Sequence, residues 1–135
     1  MKLASLFATF ALGSFGVVAS LATIATADDD PAKNVTIEAK RDAGKVTIKI
    51  KPADHWYVNS EYPLKCSLKI ADGGKLEKAE LKKEDGQYTD AGKPGKAKDV
   101  TFKTGADKAV SGECKMVLCS DNSCSSPFKV PVQSN

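Results

Sequence analysis

Residues 35–50 read VTIEAKRDAGKVTIKI, and this stretch decides the fold class. Apolar residues alternate with polar ones on both sides of a short break, at Val35, Ile37 and Ala39 and again at Val46, Ile48 and Ile50. A period of two is typical of half-buried β-strands, because successive side chains point to opposite faces. Ala43 and Gly44 supply the turn between the two runs. The stretch therefore predicts two neighbouring strands joined by a tight turn.

The same alternation recurs along the chain, at residues 64–70, 100–102, 114–118 and 128–132. Six or seven short strands separated by turns predict an all-β fold, a single antiparallel β sandwich. Pro131 in the last run favours an edge strand, because proline lacks a backbone donor. Residues 76–85 suit a helix as well as a strand. Residues 86–99 contain three glycines and a proline and predict a mobile loop.

The first 27 residues have the three parts of a secretory signal: the basic Lys2, an apolar run at 3–24 and a small-residue cleavage site ending at Ala27. A membrane anchor is the alternative, because the run is almost long enough to span a bilayer. However, the run is rich in Ala, Ser, Thr and Gly and lacks a basic stop-transfer flank. We expect a cleaved signal peptide at 1–27, a flexible leader at 28–33 and one domain at 34–135. The domain is expected to be periplasmic or secreted, without stable membrane insertion.

The distribution of charge along the sequence argues against nucleic acids as partners. The whole chain has a net charge of +3, and removal of Lys2 leaves 19 basic and 17 acidic residues, interspersed along the sequence. The lysines near 75–83 and 93–98 are interrupted by acidic residues and lack the interleaved aromatics of a nucleic-acid platform. We therefore expect no nucleic-acid binding.

Four cysteines remain after the signal segment, and in an oxidising compartment they predict two disulfides with three possible pairings. The alternation of side chains between the two faces of a strand favours one of these pairings. Cys66 shares its face with Leu64 and Leu68, and Cys114 shares its face with Met116, so both cysteines should point into the core. A Cys66–Cys114 bridge would close a loop of nearly fifty residues and stabilise the fold by about 4 kcal/mol in the chain-entropy model. We predict a structural role for this pair.

Cys119 and Cys124 are separated only by Ser120-Asp121-Asn122-Ser123, four turn-forming residues. Two cysteines that flank a hairpin turn face each other within disulfide range. Two interpretations follow from this spacing. The bridge is either a small hairpin staple or, because it lies near an exposed turn, a disulfide open to attack by the thiolate of a partner protein.

The sequence around this pair, VLCSDNSCSSPFKVPV at 117–132, resembles the end of the N-terminal periplasmic domain in the DsbD family of thiol:disulfide interchange proteins. Residues 55–65, HWYVNSEYPLK, are similar to a block in small exported proteins related to that domain. The resemblance implies an immunoglobulin-like sandwich whose Cys119 and Cys124 alternate between dithiol and disulfide. It also implies a membrane disulfide reductase as electron donor and periplasmic thioredoxin-like proteins as acceptors. This chain departs from the family by having four residues between the cysteines rather than five, and by having Cys66 and Cys114.

Other side chains offer weaker candidates. Trp56, Tyr57, Asn59 and Tyr62 cluster before the strand of Cys66, where they either pack at the edge of the core or form a recognition patch or cap over the cysteine pair. His55 is the only histidine, so the two histidines of a blue-copper site are missing, and nothing in the sequence fixes His55 near a nucleophile as a hydrolase triad requires. Four cysteines without a Cys-x-x-Cys spacing also make a poor zinc site, so we expect no metal and no cofactor. Taken with the resemblance, the sequence predicts an exported thiol–disulfide exchange module rather than a stand-alone enzyme. A non-catalytic binding or structural module with two plain disulfides is the alternative.

Overall fold

The structure is a computed structural model, and it describes residues 30–135. The predicted signal peptide at 1–27 and the first two residues of the predicted leader lie outside the described residues. The leader continues into a short 3-10 helix, Pro31–Asn34. The Asp30 carboxylate caps this helix by accepting a 3.0 Å hydrogen bond from the Ala32 backbone nitrogen. No helix within residues 30–135 is both long and apolar enough to cross a bilayer.

Two antiparallel sheets form the fold, an immunoglobulin-like β sandwich; the alternation predicts the sandwich, and the resemblance implies its immunoglobulin-like class. The strands are β1 (Val35–Asp42), β2 (Lys45–Pro52), β3 (Tyr57–Asn59), β4 (Lys65–Ile70), β5 (Glu80–Lys82), β6 (Gln87–Lys93), β7 (Lys96–Gly105), β8 (Val110–Met116), β9 (Leu118–Cys119) and β10 (Phe128–Gln133). The first sheet has the strand order β1-β2-β7-β3-β9, with β6 also paired to β7, and the second has the order β10-β8-β4-β5.

The opening hairpin forms as its sequence predicts. Asp42 pairs with Lys45 at the end of the β1–β2 ladder, which leaves Ala43 and Gly44 as a two-residue loop. Both loop residues have positive φ, 50° and 80°. That geometry matches the twist of a hairpin and is easiest for glycine, which has no Cβ to clash.

The core lies between the sheets and is filled by alternate residues of the strands. Val46, Ile48 and Ile50 of β2 are all fully buried, while the lysines between and beside them are exposed. The other large, fully buried side chains come from both sheets and from the segment before β4: Val58, Leu64, Leu81, Val100, Phe102, Val110, Met116 and Leu118.

The prediction of a mobile loop at 86–99 is wrong. These residues belong to the β6–β7 hairpin, which turns at Pro94 and Gly95. Glycines in a sequence suggest a loop, but here Gly92 and Gly95 serve the hairpin by adopting left-handed φ values of 83° and 73°. The pairing is also irregular next to Asp90, so no clean period of two survives in the sequence.

The ambiguous segment 76–85 contains no α-helix. It forms β5 and then a 3-10 helix, Lys83–Asp85. The short run at 100–102 is part of β7, a strand of ten residues. Pro131 lies in β10, which ends the second sheet, so the prediction of an edge strand is confirmed.

Candidate redox site

The structure has two disulfides, Cys66–Cys114 and Cys119–Cys124, and no free cysteine among the described residues. Cys66 and Cys114 lie directly opposite each other on the neighbouring strands β4 and β8 of one sheet. Both are 0% exposed and belong to the main hydrophobic core. The surroundings of this bridge are thus sealed from solvent. Its structural role stays a prediction.

The chain crosses from one sheet to the other just before the second bridge. β8 ends at Met116 in the second sheet, and β9 begins at Leu118 in the first, so Val117 connects the two layers. The Val117 carbonyl accepts a 2.9 Å hydrogen bond from the Asn59 backbone nitrogen, which fixes the crossing against β3. The sequence treats 114–118 as one run of alternating residues. The crossing instead buries four consecutive side chains, Met116 through Cys119.

Cys119 is buried on the outer side of the first sheet. Leu118 pairs with Val58 on the inner side, and Cys119 pairs with Tyr57, so the Cys119 and Tyr57 side chains share the outer face. Cys119 is nevertheless only 3% exposed. It is absent from the main core cluster that contains Leu118. Cys119 is therefore buried outside that cluster, beside Tyr57 and at the start of the cysteine turn.

The turn between the cysteines has its own hydrogen bonds. The Ser120 backbone nitrogen donates to the Ser123 carbonyl at 2.7 Å. The Ser120 hydroxyl oxygen accepts hydrogen bonds of 3.2 Å from the backbone nitrogens of Asn122 and Ser123. A serine that organises the following backbone in this way is common in tight turns. These contacts tie together the two ends of the turn between Cys119 and Cys124.

Cys124, in contrast to Cys119, is exposed. It borders an open cleft of about 460 Å³ together with Trp56, Pro31, Asn34 and residues 123–126. Trp56 is half-buried and packs against the core. One cysteine of the bridge is therefore buried, and the other borders an open cleft.

Two lysines of the β6–β7 hairpin reach the cysteine turn. The Lys96 Nζ donates a 2.9 Å hydrogen bond to the carbonyl of Ser120, the residue after Cys119. The Lys93 Nζ donates to the Asp121 carboxylate within the turn. Both ammonium groups lie over the Tyr57 ring, at 5.2 and 5.3 Å from its centroid. The cysteine turn is thus held against the hairpin by two cations.

The contact between Lys93 and Asp121 shifts the pKa of both side chains. The hydrogen bond from Lys93 holds the pKa of Asp121 below its ordinary value, and the same bond raises the pKa of Lys93. The sequence alone marks neither Lys93 nor Lys96 as a site residue. The contacts span 24 and 28 residues along the chain, and only the β6–β7 hairpin creates them.

The predicted aromatic and polar cluster divides into two groups. Trp56 and Tyr57 adjoin the cysteine turn, as described above. Asn59 and Tyr62 build the bend after β3: the Asn59 side chain accepts a 2.9 Å hydrogen bond from the Glu61 backbone nitrogen, and Tyr62 donates from its backbone to the Asn59 carbonyl at 3.3 Å. A recognition or capping role for the four residues stays a prediction.

No group of three or more His, Cys, Asp or Glu side chains within residues 30–135 is arranged to hold a metal ion. His55 is exposed and has a positive φ of 69°. It is close enough to Asp121 to contribute, in a minor way, to the lowered pKa of that carboxyl.

Comparisons with known proteins find similarity among solved structures. No family model matches the chain, and no curated protein matches its sequence. Among solved structures, the crystal structure of the DsbD N-terminal domain of Neisseria meningitidis in the reduced form aligns with 77% of this chain and 86% of its own, at 12% identity and a TM-score of 0.46. This is a distant likeness of fold.

Proposed function

We propose that this protein is an exported thiol–disulfide exchange module that acts through Cys119 and Cys124. The observation that carries the proposal is the unequal exposure of the two cysteines: Cys119 is 3% exposed, while Cys124 is exposed beside an open cleft. Exchange requires that an incoming thiolate reach one sulfur while the other leaves. The fully buried Cys66–Cys114 bridge offers no such access.

In the proposed reaction, a partner thiolate attacks the sulfur of Cys124 from the cleft. The Cys119–Cys124 bond breaks as the mixed disulfide forms, and Cys119 keeps the bonding electrons as a thiolate. The resemblance to the DsbD family makes thioredoxin-like proteins and a membrane disulfide reductase the candidate partners. Export to the periplasm or outside the cell follows from the signal peptide predicted at 1–27, and Trp56 would contact the partner in the cleft.

A second candidate is a binding or structural module in which both disulfides are staples. The hydrogen bonds around Ser120 favour this candidate, because they give the turn one ordered conformation. A disulfide across such a turn can serve only to stabilise that conformation. The two candidates differ in how easily Cys119–Cys124 is reduced while the domain remains folded.

The test is a glutathione redox titration of the chain without residues 1–27, followed by alkylation and mass spectrometry of the cysteine peptides. An exchange bridge should be half-reduced at a potential of roughly −120 to −270 mV, whereas structural bridges lie below roughly −300 mV. Cys66–Cys114 is the internal control, because it experiences the same buffer in the same molecule.

We expect Cys119–Cys124 to open reversibly in folded protein while Cys66–Cys114 stays closed. If both bridges resist reduction until the domain unfolds, the exchange function is wrong and the staple interpretation replaces it. Circular dichroism recorded along the titration distinguishes local reduction from unfolding.

A further inference from the structure

Attack on Cys124 creates a chemical difficulty at Cys119. The electrons of the broken bond remain on the sulfur of Cys119, a residue that is only 3% exposed and therefore has little contact with water. Burial disfavours the charged form of any thiol, and a poorly stabilised thiolate is a slow leaving group. A nearby cation would remove this obstacle.

Lys96 is well placed to provide that charge. It lies on β7 and pairs with Asn59 of β3, while Cys119 pairs with Tyr57, two residues earlier on the same strand. Residues two apart on a strand share a face, so Lys96, Tyr57 and Cys119 all project from the outer side of the first sheet. The Lys96 Nζ then bonds to the Ser120 carbonyl at 2.9 Å.

Partial burial of Lys96 strengthens the electrostatic effect of its charge on nearby groups. Its side chain is only 21% exposed, whereas the Lys93 and Asp121 side chains are 45% and 52% exposed. A largely desolvated charge acts through a lower effective dielectric than one at the surface. Asp121 lies 3.8 Å from the Lys96 Nζ and offsets part of the field, and Lys93 in turn neutralises Asp121.

We propose that Lys96 is a positioning residue that stabilises the thiolate leaving on Cys119, and that Asp121 tempers its effect. The inference rests on the proposed exchange function and deepens it. The other charged groups around Lys96 are Lys93 and Asp90, which line the same cleft as Lys96, and Glu61, whose carboxylate lies against Gly95. His55, ahead of β3, acts on Asp121.

In the proposed reaction a dithiol reductant supplies one thiolate, which bonds to the Cys124 sulfur. The Cys119–Cys124 bond breaks at the same time, and its electron pair stays on the Cys119 sulfur. The second thiolate of the reductant then attacks its own sulfur in the mixed disulfide and releases Cys124 as a thiolate. The reductant leaves as a disulfide, and the two cysteine thiolates take up protons from water according to pH.

The experiment uses dithiothreitol as the probe and the oxidised chain without residues 1–27. Four proteins are compared at low ionic strength, where charge effects are least screened: the unchanged chain, Lys96→Met, Asp121→Asn and the control Lys103→Met. Lys103 lies seven residues away on β7, roughly 20 Å at strand geometry, and the register shift near Lys98 puts it on the same outer face as Lys96 despite the odd spacing. The first readout is the rate of Cys119–Cys124 cleavage. The second is the pH at which the reduced pair develops its thiolate ultraviolet absorbance.

We expect Lys96→Met to slow cleavage roughly three- to tenfold and to move the thiolate absorbance to higher pH. Asp121→Asn should do the opposite on both readouts, and Lys103→Met should match the unchanged chain. The opposed signs are decisive, because loosening of the turn would move Lys96→Met and Asp121→Asn in the same direction.

Two results would overturn the inference, and they are distinguishable. If the unchanged bridge opens in folded protein but Lys96→Met leaves the rate and the pH profile unaltered, or if both turn variants shift alike, the role of Lys96 is wrong and the exchange function stands. If dithiothreitol cannot open the bridge of the unchanged chain before it unfolds, the proposed function and this inference fall together.

Discussion

Removal of the buried bridge, by Cys66→Ala with Cys114→Ala, should destabilise the fold far more than removal of the bridge at the cysteine turn. Cys66 and Cys114 are 48 residues apart, and a cross-link of that span stabilises by about 4 kcal/mol in the chain-entropy model. Cys119 and Cys124 are 5 residues apart, for which the same relation gives about 2 kcal/mol. Both cysteines of the first pair are also 0% exposed, so their truncation to alanine adds a packing loss of order 1 kcal/mol.

The assay is guanidinium unfolding followed by the fluorescence of Trp56, the single tryptophan of the chain. The matched control is Cys119→Ala with Cys124→Ala, which also removes two sulfurs. Free energies must be extrapolated to water, because loss of the long cross-link lets the unfolded chain expand and should raise the denaturant slope. If the control loses as much stability as the Cys66 and Cys114 variant, or if the slopes of the two variants are equal, the assignment of the buried bridge as the main covalent support is refuted.

Three further predictions test the rest of the fold. Gly112→Ala should destabilise by about 1–3 kcal/mol in thermal or chemical unfolding, because a methyl group there would meet the Ser67 carbonyl, and unchanged stability would contradict that close approach. Phe102→Ala should lose about 3–5 kcal/mol in the same assay, since Phe102 is fully buried, and a loss below 1 kcal/mol would show that it is not central to the core. The hydrogen bond from Lys78 lowers the pKa of Asp85 in the folded state, so its contribution is present above the ordinary value of 3.8 and is lost as the pH falls further. Asp85→Asn should therefore flatten the acid side of the stability–pH curve, and an identical curve for both proteins would refute this.

Much of the fold could be predicted from local pattern. The alternation at 35–50 reports directly which side chains face the core, because a strand repeats every two residues. The same rule pairs Cys66 with Cys114, since both lie on apolar faces. It also leaves Cys119 with Cys124 across a turn of four polar residues.

The β6–β7 hairpin could not be predicted in this way. Most β6 side chains are exposed, so its sequence carries little apolar alternation. Irregular pairing around Asp90 and the left-handed Gly92 remove the remaining signal. The hairpin was the source of the missed site residues, because Lys93 and Lys96 meet the cysteine turn only after it has folded.

The crossing at Val117 explains why two disulfides in one small domain have such different surroundings. Cys114 precedes the crossing and lies between the sheets, where its bridge to Cys66 is 0% exposed. Cys119 follows the crossing by two residues and lies on the outer face of the first sheet, next to Tyr57 and outside the main core cluster. Segments outside a packed core can open at lower free energy than the core itself. The change of sheet therefore places one bridge inside the core and the other at the surface, which is the difference on which the proposed exchange function depends.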